Sequence, residues 1–365
     1  MIERERHLFK LKNYLTKAGN KSIILLFLFP TIVQAQVWDS LPGVLSAFYT
    51  LSISEADYKL WVSPTRIDTT LAPNNFNLVT WDGNQWATVP GGVDGAARTV
   101  VKYNGDIYIG GSFGHAGAPI LSSYCISSGT CIKYLAKWDG SQYYNIANVE
   151  QHVYNLIVYK GELFVGGMFY QIGGQNIKGL AKYNGGTSWS VVGSGLTNWN
   201  LVEILSMIEY NGDLIVAGSF NTAGGVSTLN VARWNGTNWS NMGNGLNGRT
   251  YAMCIDTATN TLYAGGNFLA SPPVMLYYVA KWDGVNWVPL GNGLPYPARS
   301  IAFYKGKLYA GMNCYYNYCD TTFASWNGSA WTYIQPRPNY SIETLRIFND
   351  NLYVGGAFSR IGYDS

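Results

Sequence analysis

A short aromatic motif recurs along most of this 365-residue chain and limits what the chain can fold into. In the copy that runs from Trp282 to Trp287, the Asp283-Gly284 pair readily takes the positive φ angles of a tight turn, which predicts a β-hairpin. Both tryptophans fall on one sheet face whether the loop has two or four residues, so their rings can pack across the strands. The first aromatic residues of the copies are Trp81, Trp138, Tyr183, Trp234, Trp282 and Trp326.

Two further elements precede the aromatic hairpins, although the first unit is degenerate and has Leu60-Trp61-Val62 in place of one of them. One is an apolar strand that ends in a small residue and glycine, as in Leu163-Phe-Val-Gly-Gly167, and the other is a strand that ends in a polar turn. Each unit therefore holds four short antiparallel strands, and the anchors lie 44 to 57 residues apart. Four strands in such a period are typical of a β-propeller blade. We predict an all-β propeller of about seven four-stranded blades, because a β-sandwich does not predict one motif six times in the same phase.

The glycine of each small-Gly pair can have one of two structural roles. Either it lets two backbones approach closely, or it supplies a positive φ at a β-bulge. The composition agrees with short strands joined by tight turns, since charged residues make up 12%, aromatic residues 15%, and glycine numbers 42. This balance argues against a helical enzyme and against a disordered chain.

The last predicted blade is incomplete. Only two of its strands, 342–348 and 351–358, precede Ser365, so we expect a propeller domain truncated at its C-terminus. An unpaired sheet edge invites aggregation, and a segment near the N-terminus can cover it. The stretch 38–43 resembles the outer strand at 239–245. We therefore expect it to supply the outermost strand of the last blade and to close the ring, with a third strand still unassigned.

Residues 1–35 are predicted to be a secretory signal peptide, followed by the propeller domain at 36–365. Six basic residues precede an apolar stretch at 23–33, and Val33-Gln34-Ala35 offers cleavage before Gln36. This eleven-residue stretch, interrupted by Pro30, is too short to span a bilayer, although an uncleaved anchor is the alternative. No later segment has transmembrane length. We expect a protein that is secreted, extracellular or held at the cell surface.

Removal of this leader changes the charge of the chain. The leader contains six of the 24 Lys and Arg and two of the 21 Asp and Glu, which leaves 18 basic against 19 acidic residues. A net charge of about −1 lacks the electrostatic pattern that nucleic acids or anionic lipids require. Neither is an expected partner.

Five cysteines suggest local cross-links in an exported protein. We expect the close pairs Cys125/Cys131 and Cys314/Cys319 to form disulfides that pin loops. A four-cysteine metal site is less favoured, because neither pair shows the Cys-x-x-Cys spacing of zinc sites. Cys254 lies in an apolar run and is expected to be a buried thiol.

The predicted loops are unequal at the two ends of the propeller. Turns within the strand pairs are short, whereas long insertions at 113–133, 169–179, 268–278 and 312–322 all fall on the opposite side, the long-loop face. A face of long, variable loops is the expected binding surface. Its aromatic residues could stack on sugar rings or anchor a protein partner, or could simply shield the inner strands. They are Tyr124, Trp199, Tyr277, Tyr278, Tyr315, Tyr316 and Tyr318.

The repeats resemble the kelch-like, galactose-oxidase-type propeller repeats of secreted bacterial proteins. The resemblance rests on Leu352-Tyr-Val-Gly-Gly-x-Phe358 and on the Trp-Asp-Gly-x-x-Trp hairpins, and it covers nearly all of 36–365. It implies the fold and is almost silent on chemistry. Galactose oxidase uses histidine and tyrosine as copper ligands, which makes His115 and His152 weak metal candidates on the long-loop face. No local motif supports copper, and we expect no cofactor.

Three functional hypotheses remain open. The leading one is a non-catalytic, exported propeller that binds a glycan or a protein through its long-loop face. The second is a secreted enzyme on the same scaffold, either a copper oxidase or a glycan-active hydrolase or lyase. It lacks motif support, since the chain has no Gly-x-Ser-x-Gly, His-Glu-x-x-His or P-loop sequence. The third is a structural module of a larger surface protein.

Overall fold

The computed structural model describes residues 50–64, 78–117, 131–313, 321–358 and 361–362, and the backbones of two strands at 25–28 and 37–40. Within these ranges every regular element is a β-strand. No helix in the described part of the chain has the length and apolar character that crossing a membrane requires.

Most described strands form seven four-stranded antiparallel sheets, numbered here one to seven in the chain order of their first strands. Five short strands form two small sheets, one of Leu196–Thr197, Thr222–Ala223 and Val226–Ser227, and one of Ala270–Ser271 and Val274–Met275. The first, inner strands are Thr50–Ala56, Ala96–Tyr103, Val153–Tyr159, Glu203–Tyr210, Thr250–Asp256, Ala298–Tyr304 and Ile342–Phe348. The second strands are Lys59–Pro64, Asp106–Ser112, Glu162–Gly167, Asp213–Ser219, Thr261–Gly266, Lys307–Met312 and Asn351–Gly356. The third strands are Val79–Trp81, Leu135–Trp138, Leu180–Gly185, Val231–Trp234, Val279–Trp282, Phe323–Trp326 and, in sheet seven, Leu25–Leu28. The outer strands are Trp86–Thr88, Tyr143–Tyr144, Ser188–Val191, Trp239–Asn241, Trp287–Pro289, Trp331–Tyr333 and, in sheet seven, Val37–Ser40.

The hydrophobic core lies between neighbouring sheets and runs around a ring. One buried cluster, for example, joins Leu135 of sheet two to Val165 and Trp189 of sheet three. The same kind of cluster links sheet seven back to sheet one, where Phe348 packs with Leu60. No sheet of this kind buries both faces alone, so stacking around an axis is what stabilises each of them. The predicted β-propeller is confirmed.

The aromatic hairpins occupy equivalent places in the outer halves of the sheets. Trp282 pairs directly with Trp287 across the strands, with ring centroids 5.3 Å apart. The loop between them has four residues, and one carboxylate oxygen of Asp283 accepts the backbone N–H groups of Val285 and Asn286. This explains why the motif carries Asp or Asn after the aromatic residue, because the side chain satisfies two donors of the turn.

The glycines of the small-Gly pairs are explained by the close approach of neighbouring strands and not by a positive φ. A Cβ on the first glycine of the pair in sheet two, Gly110, would lie 2.4 Å from Cγ1 of Val153 in sheet three. A Cβ on the second, Gly111, would lie 2.0 Å from the carbonyl oxygen of Ala96. Neither glycine has a positive φ. The first glycine therefore admits the next sheet, and the second admits the backbone of its own inner strand.

Sheet seven is completed from the N-terminal side. Val37–Ser40 is its outermost strand, which agrees with the predicted closure of the ring by an N-terminal strand. The position that the sequence left unassigned is taken by Leu25–Leu28, which pairs with Asn351–Gly356. This strand comes from the apolar stretch of the predicted leader. Cleavage before Gln36 would remove it, and the leader itself stays a prediction.

The two ends of the ring differ as the loops suggested. Lys160, in the first turn of sheet three, donates a hydrogen bond from Nζ to the carbonyl oxygen of Asn235, in the outer turn of sheet four. The short turns therefore share one end. At the other end the links between sheets pair with the middle loops, as Leu196–Thr197 does with Thr222–Ala223. That second end is the long-loop face.

Candidate functional site

Every inner strand carries one β-bulge at the same place. Two neighbouring residues of the second strand pair with inner-strand residues that are two positions apart, so the inner-strand residue between them is unpaired. A bulge bends its strand and re-aims the side chain of the extra residue. The extra residues are Leu51, Arg98, Tyr154, Leu205, Tyr251, Arg299 and Glu343. All of them lie near the start of their strands, hence towards the long-loop face.

Six of these bulge residues line a single cavity on the axis of the ring. Its volume is about 370 Å³, and Arg98, Tyr154, Leu205, Tyr251, Arg299 and Glu343 contribute to its wall. The remaining lining residues come from the same strand starts: Ser52, Ile53, Glu203, Arg249 and Thr344. We call the charged and tyrosine side chains among these the channel-mouth cluster. It comprises Arg98, Tyr154, Glu203, Arg249, Tyr251, Arg299 and Glu343.

Two of the three arginines in the cluster are held by carboxylates. Nε of Arg249 lies 2.9 Å from Oε2 of Glu203, and Nε of Arg299 lies 3.4 Å from Oε2 of Glu343. The guanidinium of Arg299 also lies 4.7 Å from the ring centroid of Tyr251. These contacts fix the charged side chains in a partly enclosed site, where electrostatic interactions are stronger than in bulk water.

Arg98 is left out of these ion pairs. Its Nε is buried and has no hydrogen-bond partner among the described residues. Burial lowers the pKa of the Arg98 guanidinium from its ordinary value, against the opposing effects of Tyr154 and Glu343. Arginine nevertheless stays protonated in proteins. A buried donor left without a partner costs about 1–3 kcal/mol, so this position is one that a ligand can improve.

His152 lies beside Arg98 at the edge of the cluster. Its ring packs edge-on against Tyr134, with centroids 5.3 Å apart, and lies 5.9 Å from the ring of Tyr154. Burial, and then the positive charge of Arg98, lower the pKa of His152 below its usual value. In the described part of the chain Nδ1 of His152 has no hydrogen-bond partner. A neutral imidazole therefore adjoins the uncompensated arginine.

The aromatic residues predicted from the loops are only partly described. Trp199 is 90% exposed in the link before sheet four, where its backbone N–H donates to Oδ1 of Asn221. Tyr277 is half-exposed in the middle loop of sheet five. Tyr278 is partly buried against the cluster between sheets five and six. The other four, Tyr124, Tyr315, Tyr316 and Tyr318, lie outside the described residues.

The predicted disulfides stay predictions. Cys131 is described, but Cys125, Cys314 and Cys319 are not, so each pair includes at least one residue outside the described ranges. Cys254 carries a free thiol. Burial raises the pKa of this thiol well above its ordinary value, as expected for an inert buried cysteine.

The two candidate metal ligands have different surroundings. The carbonyl oxygen of His115 accepts the backbone N–H of Asp94, and a carboxylate oxygen of Asp94 in turn accepts the N–H of His115. The ring of His152 lies instead between those of Tyr134 and Tyr154. Across the described residues, no group of three or more His, Cys, Asp or Glu side chains is arranged to hold a metal ion.

The channel-mouth cluster was missed at the level of sequence, yet a signal was present. In four units the bulge residue stands seven positions before the glycine of the following turn, and those four residues are Arg98, Tyr154, Leu205 and Arg299. An alignment of the bulge position across all seven units shows three charged residues and two tyrosines, and leucine in the other two units. Each residue alone looks like an ordinary surface position, because its partners lie in other units.

Comparisons with known proteins define the fold alone. No family model matches the chain, and no curated protein matches it. Among solved structures, it resembles the extracellular domain of BT4673 from B. thetaiotaomicron (TM-score 0.57, 12% identity, 95% of this chain and 40% of that one). A second structure of the BT4673 extracellular domain gives a TM-score of 0.54 at 12% identity, over 94% of this chain and 40% of that one. The WD40 β-propeller domain of Doa1 gives 0.50 at 12% identity, over 92% of this chain and 93% of that one. The chain spans about 40% of the length of the two BT4673 chains.

Proposed function

We propose that this chain is an exported, non-catalytic binding propeller of the kelch-like type, and that its ligand enters the channel-mouth cluster from the long-loop face. One observation carries the proposal: six side chains from six different sheets converge on one cavity of about 370 Å³. A volume of this size lies at the lower end of the range for ligand sites, so the cavity suits a small ligand or the terminal unit of a larger one.

The surroundings of the cavity favour binding. The bulge residues stand on a closed ring of sheets, so their positions are set before any ligand arrives, which reduces the ordering cost of association. Both glutamates of the cluster are engaged with arginines. The site therefore offers fixed charges, tyrosine hydroxyl groups and aromatic faces. These are the groups from which glycan and protein binding sites are built.

The long loops would form the rim of this site. Trp199, Tyr277 and Tyr278 lie on loops or links of the same end, and we propose that Tyr124, Tyr315, Tyr316 and Tyr318 join them there. Disulfides Cys125/Cys131 and Cys314/Cys319 would stiffen the two loops that carry those four tyrosines. Location outside the cytoplasm agrees with the predicted leader at 1–35 and with the extracellular placement named for the BT4673 domain.

A ligand screen followed by paired variants tests this proposal. The purified chain is presented to a glycan array and to extracellular proteins of the same source, and each hit is measured again with the double variant Tyr154→Ala/Tyr251→Ala. We expect at least a tenfold loss of affinity. Tyr58→Ala is the matched control, because Tyr58 is 90% exposed in a short turn at the opposite end. Equal effects of the two changes, or hits that ignore both, would overturn the assignment of the face.

A further inference from the structure

We infer that the channel-mouth cluster binds the carboxylate of an acidic sugar, with Arg98 as its anchor. This inference rests on the proposed function and deepens it, because it names the class of ligand for the same site. Three observations support it: the balance of charges on the cavity wall, the unused hydrogen-bond donors of the arginines, and the other side chains that line the cavity.

The charge balance of the cavity wall favours an anion. Three arginines and two glutamates line the cavity, and the described ion pairs join each glutamate to one arginine. Arg98 is the arginine that remains. Its side chain lies close enough to Arg299 for the positive charge of Arg299 to act on it. A ligand with one negative charge would neutralise the excess, whereas a cation would meet like charge.

The hydrogen-bonding state of the arginines points to a carboxylate in particular. Among the described residues, Nε of Arg98 and Nε of Arg299 are both buried without a hydrogen-bond partner, and so is Oε2 of Glu203, which lies 2.9 Å from Nε of Arg249. A guanidinium presents its donors as a planar fork that matches the two oxygens of a carboxylate. A carboxylate between these two side chains would satisfy donors that the chain alone leaves unused.

The rest of the lining favours a sugar over an acidic peptide. Among the described lining residues, only Ile53 and Leu205 contribute aliphatic side chains, whereas protein partners are usually anchored in well-packed apolar pockets. Tyr154 and Tyr251 instead provide ring faces on which a pyranose can stack. The hydroxyl groups of Ser52 and Thr344 provide both donors and acceptors for a polyhydroxylated ligand.

The test uses matched acidic and neutral sugars on the full chain. Isothermal titration at low salt compares trigalacturonate and trimannuronate with their methyl esters, and sialyllactose with lactose. We expect at least one acid to bind, and its neutral counterpart to bind at least tenfold more weakly. Because both measurements use the unchanged protein, they hold even if a variant fails to fold.

Two variants then locate the carboxylate. Arg98→Gln should weaken the acid at least tenfold and leave the neutral sugar unchanged, and Arg98→Lys should fall between the two because it keeps the charge and loses the fork. Arg233→Gln is the control, since Arg233 is an exposed arginine on an outer part of sheet four. The melting temperature of each variant shows that it is folded.

The outcomes separate this inference from the proposed function. If neutral sugars bind as tightly as acids, or if Arg98→Gln has no effect on a bound acid, the carboxylate site is wrong while the binding propeller stands. Binding of pentaglutamate, lost in Arg98→Gln and without any binding of acidic sugars, would replace the sugar with a peptide. The inference is also wrong if none of the acidic probes binds. If the hits of the earlier screen bind the Tyr154→Ala/Tyr251→Ala variant as tightly as the unchanged chain, the site itself is wrong.

Discussion

In five of the seven sheets a glycine pairs with the residue before the inner-strand bulge, and a methyl group there would meet a backbone oxygen. At Gly218 in sheet four the nearest such atom, the carbonyl oxygen of Glu203, would lie 1.9 Å from the added Cβ. The same contact occurs at Gly111, Gly167 and Gly266, at 2.0 to 2.2 Å. Sheets one and six carry the same bulge with Pro64 and Met312 at this position, so the glycines serve the close approach of the two strands and not the bulge itself.

Substitution of Gly218 by alanine should destabilise the protein strongly. The clash involves backbone atoms of the adjacent strand, which cannot rotate away, so we expect a loss at or above the 1–3 kcal/mol of typical overpacking. Gly265→Ala is the matched control in sheet five, because its Cβ would meet the side chains of Ala298 and Ile301 at 3.0 Å and sheet four has alanine at this position. Urea unfolding measures both. Equal losses would show that the backbone contact does not matter.

His152 should make the stability depend on pH. Its folded-state pKa is lowered, by burial first and by Arg98 second, so the unfolded chain binds the proton more readily. Stability is therefore full above the unfolded pKa of about 6.5 and decreases as the pH falls from there towards the folded value. Unfolding free energies between pH 7.5 and 5 should show a smaller decrease in His152→Gln than in the unchanged chain. An identical decrease in both would assign the effect to other groups.

At the scale of elements, the outer hairpin depends on its paired aromatic residues. Trp189 donates its indole N–H to the carbonyl oxygen of Ile146, in the link that precedes sheet three, and Trp239 donates in the same way to Val192. The second tryptophan of these hairpins therefore joins its own strand to the chain segment that leads in from the previous sheet. Trp331 donates in the same way to Leu290, whereas the indole N–H groups of Trp86 and Trp287 have no hydrogen-bond partner among the described residues.

The second tryptophan should not contribute equally in every sheet. Trp287 is 1% exposed, whereas the equivalent Trp86 in sheet one is only partly buried. Trp287→Ala should cost about 3–5 kcal/mol, as for a fully buried aromatic residue, and Trp86→Ala should cost clearly less. The denaturant midpoints of the two variants are compared with that of the unchanged chain. A larger loss of stability in Trp86→Ala than in Trp287→Ala would contradict this ranking.

At the scale of the whole molecule, sheet seven closes the ring and takes its two outer strands from the N-terminal side. Asn351–Gly356 pairs with Leu25–Leu28, and sheet seven packs against sheet one through Phe348 and Leu60. The predicted leader and this strand cannot both persist in the exported protein. If export cleaves the chain before Gln36, the edge of Asn351–Gly356 must be left open or covered by another strand.

We predict that the exported protein begins at Gln36. Its mass and N-terminal sequence test this directly. Hydrogen exchange should then be faster at Asn351–Gly356 than at the equivalent strand Thr261–Gly266, which keeps Val279–Trp282 as its neighbour. A chain made without export and retaining residues 1–35 is the control, and its Asn351–Gly356 strand should be protected. An exported chain that still contains Leu25–Leu28 would contradict the predicted leader.

The sequence alone was enough for the architecture, because the features that define it are local and repeated. A turn such as Asp283-Gly284, an alternating strand and a small-Gly pair all lie within one unit of about 50 residues. Their recurrence in a constant phase predicts radial stacking. The closing role of the N-terminal strand followed from the same pattern, since the segment at 38–43 resembles other outer strands.

Only the tertiary structure decided where the site lies. Arg98, Arg249 and Arg299 belong to three different units, and nothing in their local sequence indicates that they share one cavity. Arg98 and Arg299 are bulge residues and Arg249 directly precedes its inner strand, and the ring brings these strand starts to one cavity. The third strand of sheet seven was hidden for the same reason: Leu25–Leu28 lies more than 300 residues before its partner in the chain. Local periodicity determines which elements form, whereas closure of the ring determines which side chains converge.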